Sequence, residues 1–323
     1  MTTYPSLTGL GAERLAASTE RVVVVGAGGW LGLATLEALH QTLGALFHDR
    51  VVCYGSNRRV LRLRGGVEVI QSPLADLAEL AAAPSLVLHL AFLTQEKAKA
   101  MSEADYVAAN RAISGSVLSA LDPIGASGVF VASSGAVYLA DDPSAEASKR
   151  LYGRLKLEDE ARFAAWAKTA GATCVNARVF NVSGPYINKT ASYALACFIA
   201  DALAGRPIEI KAARPVVRSY VAISELISVA FGLLTDGEIG PVTFDTVGSA
   251  TLEMDDIARG VASVVSPEFS IERAPLESLT ADRYVGDGAL YQSLRHRFDV
   301  EPVDFAAQVR QTASFMAQNV GSM

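Results

Sequence analysis

The sequence predicts a doubly wound α/β fold: a mainly parallel sheet with helices on both faces, followed by a smaller C-terminal α/β lobe. Three observations carry this. Short runs that are apolar throughout recur between stretches of helical length and spacing, the pattern of strands buried on both faces. The first such run, Arg21 to Val25, breaks into glycines and resumes directly as a helix. Of the 323 residues 50% are hydrophobic but only 7% aromatic, with Gly and Ala plentiful, which suits helices packed closely on a sheet.

Taken in order, residues 1–20 form an N-terminal extension with a short surface helix expected in it. Residues 21–180 then alternate regularly. Strands are expected at Arg21 to Val25, Val51 to Tyr54, Val67 to Ile70, Leu86 to Ala91, Gly128 to Ala132 and Thr173 to Val179. Helical spacing and propensity mark Leu31 to Phe47, Glu103 to Leu121 and Ser148 to Ala170. From residue 181 to 323 the rhythm loosens. Helices around Ser192 to Ala204, Ile223 to Leu234, Leu252 to Val265 and Asp304 to Met316 alternate with short strands such as Ile208 to Ile210 and Val242 to Thr246. This part reads mainly as a second lobe on the carboxyl edge of the sheet, with some segments free to return to it.

Bulk properties exclude several function classes. A net charge of −6, with basic residues scattered, gives no pull toward nucleic acid or an anionic membrane. Cys53, Cys174 and Cys197 are odd in number, far apart and in apolar surroundings, as expected of reduced, packed thiols; their spacing does not fit a metal site. No apolar run reaches the roughly 18 residues of a membrane span. The N-terminus lacks the layout of a secretory leader, so a cytoplasmic location is expected.

The chemistry begins at the first strand-to-helix turn. Glycines at Gly26, Gly29 and Gly32 supply a tight turn, a close backbone approach to a pyrophosphate, and close helix-to-strand packing. The helix that follows offers unpaired N–H groups and a positive dipole to phosphate. Residues 21–180 therefore read as a Rossmann-type dinucleotide-binding domain, with Trp30 and Leu31 also at the cofactor. An acid after the second strand would accept hydrogen bonds from the ribose hydroxyls of NAD. The chain instead has Ser56, Asn57, Arg58 and Arg59 there, and guanidinium groups pair well with a 2′-phosphate. NADP is favoured and NAD is the alternative. Arg58 and Arg59 also read as solvated helix-start charges.

Two further segments complete a catalytic set. Val129 to Ala132 ends in Ser133 and Ser134, and strand ends at this edge face the ligand crevice. Tyr152 and Lys156 lie four apart on a helix, so phenol and ammonium share a face. A neighbouring cation favours phenolate and tunes the tyrosine for proton exchange.

At this point the chain resembles the extended short-chain dehydrogenase/reductases, the NAD(P)-dependent epimerase/dehydratase family acting largely on nucleotide sugars. The likeness runs through the glycine turn, His89-Leu90-Ala91, Asn110, Ser133 to Tyr138 and the Tyr152/Lys156 pair. It continues in Arg178-Val179-Phe180-Asn181-Val182-Ser183-Gly184-Pro185 and in the stretch from Arg218 to Leu226. The resemblance implies that Tyr152 is the acid/base, that Lys156 holds the nicotinamide ribose, and that Ser134 orients the reacting oxygen. It implies that His89, Leu90 and Ala91 line the cofactor cleft, His89 as a hydrogen-bonded residue. Asn181, Arg218 and, as a second phosphate ligand, Arg273 would contact the substrate diphosphate. Asn110 also reads as a helix-packing residue, Arg218 as an ion-pair partner, and Tyr138 and Tyr186 as packing residues.

The departures narrow the chemistry. A 4,6-dehydratase of this kind carries Asp-Glu after the catalytic hydroxyl residue; here Gly135 and Ala136 have no proton to give. The stretch from Ser134 to Tyr152 is shorter than usual, and Ala222 stands where many members have histidine. Two reactions remain: reduction of a 4-keto sugar with exchanging NADPH, and 4-epimerisation with retained NAD. A non-catalytic NADP-sensing protein is the alternative of another class. The resemblance further implies a homodimer made by the helices Glu103 to Leu121 and Ser148 to Ala170.

Overall fold

The computed structural model describes residues 4–319 apart from 95, 96, 98, 99, 266, 267 and 269. The first lobe alternates as β1 (Arg21–Val25), α2 (Trp30–Leu43), α3 (Phe47–Arg50), β2 (Val51–Gly55), β3 (Arg59–Arg62), β4 (Glu68–Pro73), β5 (Ser85–His89), α4 (Glu103–Leu121), β6 (Ala126–Ser134), α5 (Ala147–Ala170) and β7 (Thr173–Val179), preceded by α1 (Gly9–Ala17). Residues 181–319 carry β8 (Asn181–Ser183), α6 (Ala194–Leu203), β9 (Ile208–Ile210), β10 (Val216–Arg218), β11 (Tyr220–Ala222), α7 (Ile223–Leu234), β12 (Gly240–Asp245), β13 (Leu252–Glu253), α8 (Met254–Val265), β14 (Ile271–Arg273), β15 (Asp282–Tyr284), α9 (Ala289–Arg297) and α10 (Phe305–Asn319).

Eight strands form the central sheet in the order β12-β7-β6-β5-β1-β2-β4-β3, parallel throughout except for β3, which runs antiparallel to β4 at the edge. β1 shows why its strands are apolar without alternation. Val22 and Val24 enter a core with Leu36 and Leu39 of α2 and Ile227 of α7, whereas Val23 and Val25 enter a second core with Val117 of α4 and Phe163 of α5. Each face is thus covered, and period-2 patterning has no solvent side to record. The strand order reverses beside β1, where β2 and β5 flank it, which opens a crevice at their carboxyl ends.

Two expectations are corrected. Arg58 and Arg59 do not start a helix: Arg59 opens β3, which pairs Val60 with Ile70. The strand near Val242 returns to the central sheet as β12 beside β7, with Val242 opposite Val175. The N-terminal helix is docked rather than superficial. Gly11 lies so close to α7 that a Cβ would sit 2.3 Å from the Gly232 nitrogen. Leu15 is fully buried, Arg14 pairs with Asp236 at 2.6 Å, and Arg50 donates to the Leu15 carbonyl at 2.8 Å. No helix among the described residues is long and apolar enough to cross a membrane.

Candidate active site

A cleft of about 640 Å³ runs from the β1–α2 turn to the middle of α5. At one end, Gly26 holds a left-handed φ of +89°, and a Cβ there would strike the Ala91 backbone nitrogen at 2.6 Å. At Gly32 a Cβ would lie 2.3 Å from the Gly26 carbonyl, so the helix seats directly on the turn. A Cβ on Gly29 would meet only that carbonyl, at 3.4 Å. α2 begins here with no side chain capping its first N–H groups. This cradle fits a dinucleotide pyrophosphate: small residues where the backbone must be approached, and uncapped donors beside them. Gly26, Gly29, Trp30, Leu31, Gly32 and Leu90 all line the cleft.

At the other end Ser134, Tyr152 and Lys156 line the same cleft. The local sequence explains their approach. Gly153 would place a Cβ 2.2 Å from the Ala136 carbonyl, so α5 rests against the turn that follows β6. Ser134 accepts a hydrogen bond from the Ala136 nitrogen at 3.2 Å and faces the Tyr284 hydroxyl at 3.4 Å. Lys156 is buried, donates to the Ala132 carbonyl at 2.7 Å, and lies 5.9 Å from the Tyr152 ring centre. Burial pulls its ammonium down to about 8, against the opposing charges of Asp159 and Glu160. Gly135 also has a steric reason: a Cβ there would lie 2.5 Å from the Phe180 ring, so the position has no room for a carboxylate without movement of that ring.

A second cleft of about 440 Å³ shares Ala191, Ser192 and Tyr193 with the first. Asn181, Lys211, Arg218 and Tyr220 line it. Arg218 bonds the Asp282 carboxylate at 3.1 Å while keeping its place in the cleft wall.

A model of the NAD dependent epimerase/dehydratase family matches residues 22–243. The chain belongs to this family. Among solved structures, it superposes on MoeE5 in complex with UDP-glucose and NAD with a TM-score of 0.69 and 18% identity, covering 93% of this chain and 99% of that one. The UDP-N-acetylglucosamine 4-epimerase of Methanobrevibacter ruminantium, in complex with UDP-N-acetylmuramic acid, gives 0.69, 19%, 93% and 99%. At such identities the likeness establishes the fold. A UDP-glucuronic acid decarboxylase of Arabidopsis thaliana is 27% identical over 96 residues, and the match spans 30% of this chain and 28% of that relative.

Several family positions behave differently from expectation. His89 does not line the cleft as a hydrogen-bonded residue. Its side chain is buried 5.0 Å from the Phe163 ring, both ring nitrogens are without a hydrogen-bond partner, and burial drives it down to about 3. Ala91 serves through its backbone, packed on Gly26. Arg273 is not brought to either cleft: Glu253 takes both its terminal nitrogens, at 2.7 and 2.8 Å, and is itself held down to about 2 by that bond. Ser56 and Arg58 are exposed beyond β2, whereas Arg59 reaches back to the Gly28 carbonyl at 3.3 Å. Asn110 accepts from the Leu93 nitrogen at 2.8 Å and donates to the Tyr106 carbonyl at 3.1 Å, so it fixes the loop after β5.

The sequence reading missed Gln71, Phe92 and Tyr284. Gln71 fills the floor under Gly28 and Gly55 beside Arg59, with its side-chain oxygen buried and unpartnered. Phe92 follows the carboxyl end of β5, and the rule that such ends face the crevice was the available signal. Among the described residues no group of three His, Cys, Asp or Glu side chains is placed to hold a metal ion.

Behind the site, Glu160 accepts from Ser133 and, through both oxygens, from Arg178. Arg178 also donates to the Tyr138 hydroxyl at 3.0 Å, which in turn donates to Asp245 at 3.0 Å. Tyr138 is therefore a relay in a polar network that joins β7, β12 and α5, and Tyr186 is likewise bonded, to Glu37 at 2.8 Å. Arg178→Met would leave Glu160, 9% exposed, without its cation. A loss of about 1–3 kcal/mol is expected, below the full cost for a buried pair because Arg178 is partly solvated. Urea unfolding checks this; an unchanged midpoint would remove the network from the stability of the fold.

Proposed function

We propose that the protein is an NAD(P)-dependent oxidoreductase of nucleotide-linked sugars that catalyses hydride transfer at C4, of the 4-keto-sugar reductase type. The observation that carries this reading is the meeting of Ser134, Tyr152 and Lys156 in one cleft with the glycine cradle, beside a second cleft containing Asn181 and Arg218. The first cleft suits the dinucleotide and the second a nucleoside diphosphate. In this reading the bound nicotinamide supplies hydride to the sugar carbonyl. Tyr152 donates a proton to the carbonyl oxygen, Ser134 orients that oxygen by a hydrogen bond, and Lys156 holds the ribose and, while charged, favours the phenolate left behind. Arg218 and Asn181 bind the substrate diphosphate. The absence of a carboxylate at Gly135 and Ala136 argues against elimination.

Arg59, held at the Gly28 carbonyl with no acid after β2, supports NADP as the preferred cofactor. Titration calorimetry should show NADPH binding more tightly than NADH, and Arg59→Ala should reduce that preference about tenfold, the scale of one charge-assisted phosphate contact. Equal or inverted affinities would discard NADP. The reaction itself is tested by NADPH oxidation with a nucleotide-linked 4-keto-6-deoxy sugar. NAD retained through purification, with C4 inversion of a nucleotide sugar and no added cofactor, would instead establish the epimerase. A homodimer through α4 and α5 is part of the proposal, supported by the many small residues on both helices.

A further inference from the structure

Phe92 lies where the cofactor and the catalytic pair meet. Its ring centre is 3.6 Å from Lys156 Nζ and 5.5 Å, edge to face, from the Tyr152 ring, and its side chain lines the cleft. The backbone on both sides is fixed. Leu90 donates to the Val25 carbonyl at 2.8 Å, and Leu93 is held through its nitrogen by Asn110 at 2.8 Å and through its carbonyl by the Tyr106 hydroxyl at 2.7 Å. With the flanking backbone held, the ring can leave this position only by rotation of its own side chain. An ammonium has three donor directions. For Lys156 one goes to the Ala132 carbonyl, and the Phe92 ring face takes the ammonium at 3.6 Å, while Lys156 and Phe92 both line the cleft. A hydroxyl group arriving from the cleft to bond Lys156 competes with the ring for the ammonium, and drawing the ammonium toward the hydroxyl forfeits part of a cation–π contact made in a desolvated place.

We propose that Phe92 is a cofactor-subsite residue that competes with the incoming dinucleotide for the Lys156 ammonium, so that the cofactor is held weakly and exchanges between turnovers. This rests on the assignment of Lys156 to the nicotinamide ribose under the proposed function. Apparent affinity is reduced by the fraction of molecules in which the ring occupies the subsite, and removing the ring removes that reduction. The residue thereby favours the exchanging chemistry of a reductase over the retained cofactor of an epimerase.

The test is calorimetric titration of the full-length, nucleotide-stripped protein with NADPH, NADH and 2′,5′-ADP, in the parent chain, Phe92→Ala and Phe92→Leu. The expected result is about tenfold tighter binding of both dinucleotides to Phe92→Ala, the scale of one cation–π contact, with a smaller gain for Phe92→Leu. Affinity for 2′,5′-ADP, which has no nicotinamide ribose, should stay the same. Unchanged or weaker dinucleotide binding overturns the proposal, as does an equal change for 2′,5′-ADP, which would mark a general effect on the cleft. If Phe92→Ala does not fold, Phe92→Leu alone decides by the same criteria. Failure of sugar reduction would overturn the proposed reaction and leave these affinities standing; failure of the affinities to rise would remove Phe92 and leave the reaction standing.

Discussion

Replacing Tyr152 with phenylalanine is expected to lower turnover by about 10²–10⁴-fold, the range for loss of a general acid, with NADPH affinity almost unchanged. The substitution removes one oxygen and keeps the ring, so the edge-to-face contact with Phe92 and the docking of α5 through Gly153 survive. The loss should fall on kcat, because in the proposed reaction the proton is delivered only as the carbonyl oxygen gains charge. Stopped-flow reduction of a nucleotide-linked 4-keto sugar separates this from binding. Turnover equal to the parent would assign the acid elsewhere. The nearest alternative is Tyr284, whose hydroxyl faces Ser134 at 3.4 Å in a half-buried place and whose phenol is pushed up by desolvation.

What could be read from the chain followed the range of the interactions. The turn from β1 to α2 is local: strand, glycines and helix are contiguous, Gly26 holds a left-handed φ and a Cβ on Gly32 would strike the turn itself, while only the packing of Gly26 on the Ala91 backbone depends on a distant partner. α4 runs from Glu103 to Leu121 as expected, because Ser102 caps it and its periodicity is uninterrupted. β3 was hidden by its brevity, with three of its four side chains exposed. β12 is a short run of mixed polarity, Gly240–Asp245, that would suit a strand of the central sheet or of the C-terminal segments; only the pairing with β7 decides.

The site divides in the same way. Ser134, Tyr152 and Lys156 announce themselves by type and order, and the fold brings them to one cleft. The partners that decide which other charges are free are remote in sequence. Arg273 is claimed by Glu253, twenty residues away, and Arg218 is shared with Asp282. His89 shows the converse: a polar residue at a strand end was expected to face the cleft, but β5 points its ring into the layer under α5. Phe92 resembles any core phenylalanine until the loop after β5 is placed over α5.

Lys156→Met should lower turnover by about 10²-fold or more, since under the proposed function it removes the cation that favours the Tyr152 phenolate, and it should also change how stability depends on pH. Burial lowers the folded ammonium from its ordinary 10.5 to about 8, with Asp159 and Glu160 opposing the shift. Below about pH 8 the lysine is charged in both folded and unfolded chains, and the full cost of burying the charge is present. Between about 8 and 10.5 the folded chain has released a proton that the unfolded chain retains, so this group makes stability rise with pH. The shift corresponds to about 3 kcal/mol at 1.36 kcal/mol per unit. Methionine has no proton to exchange, while every other titrating group is common to both proteins. The unfolding free energy of the parent minus that of Lys156→Met should therefore increase by about 3 kcal/mol across this window, read from urea unfolding at a series of pH values. A difference that stays flat would mean that the ammonium is solvated or paired as well in the folded chain as in the unfolded one. In that case the cation would not be confined beside Tyr152, and the electrostatic role proposed for Lys156 would lose its source.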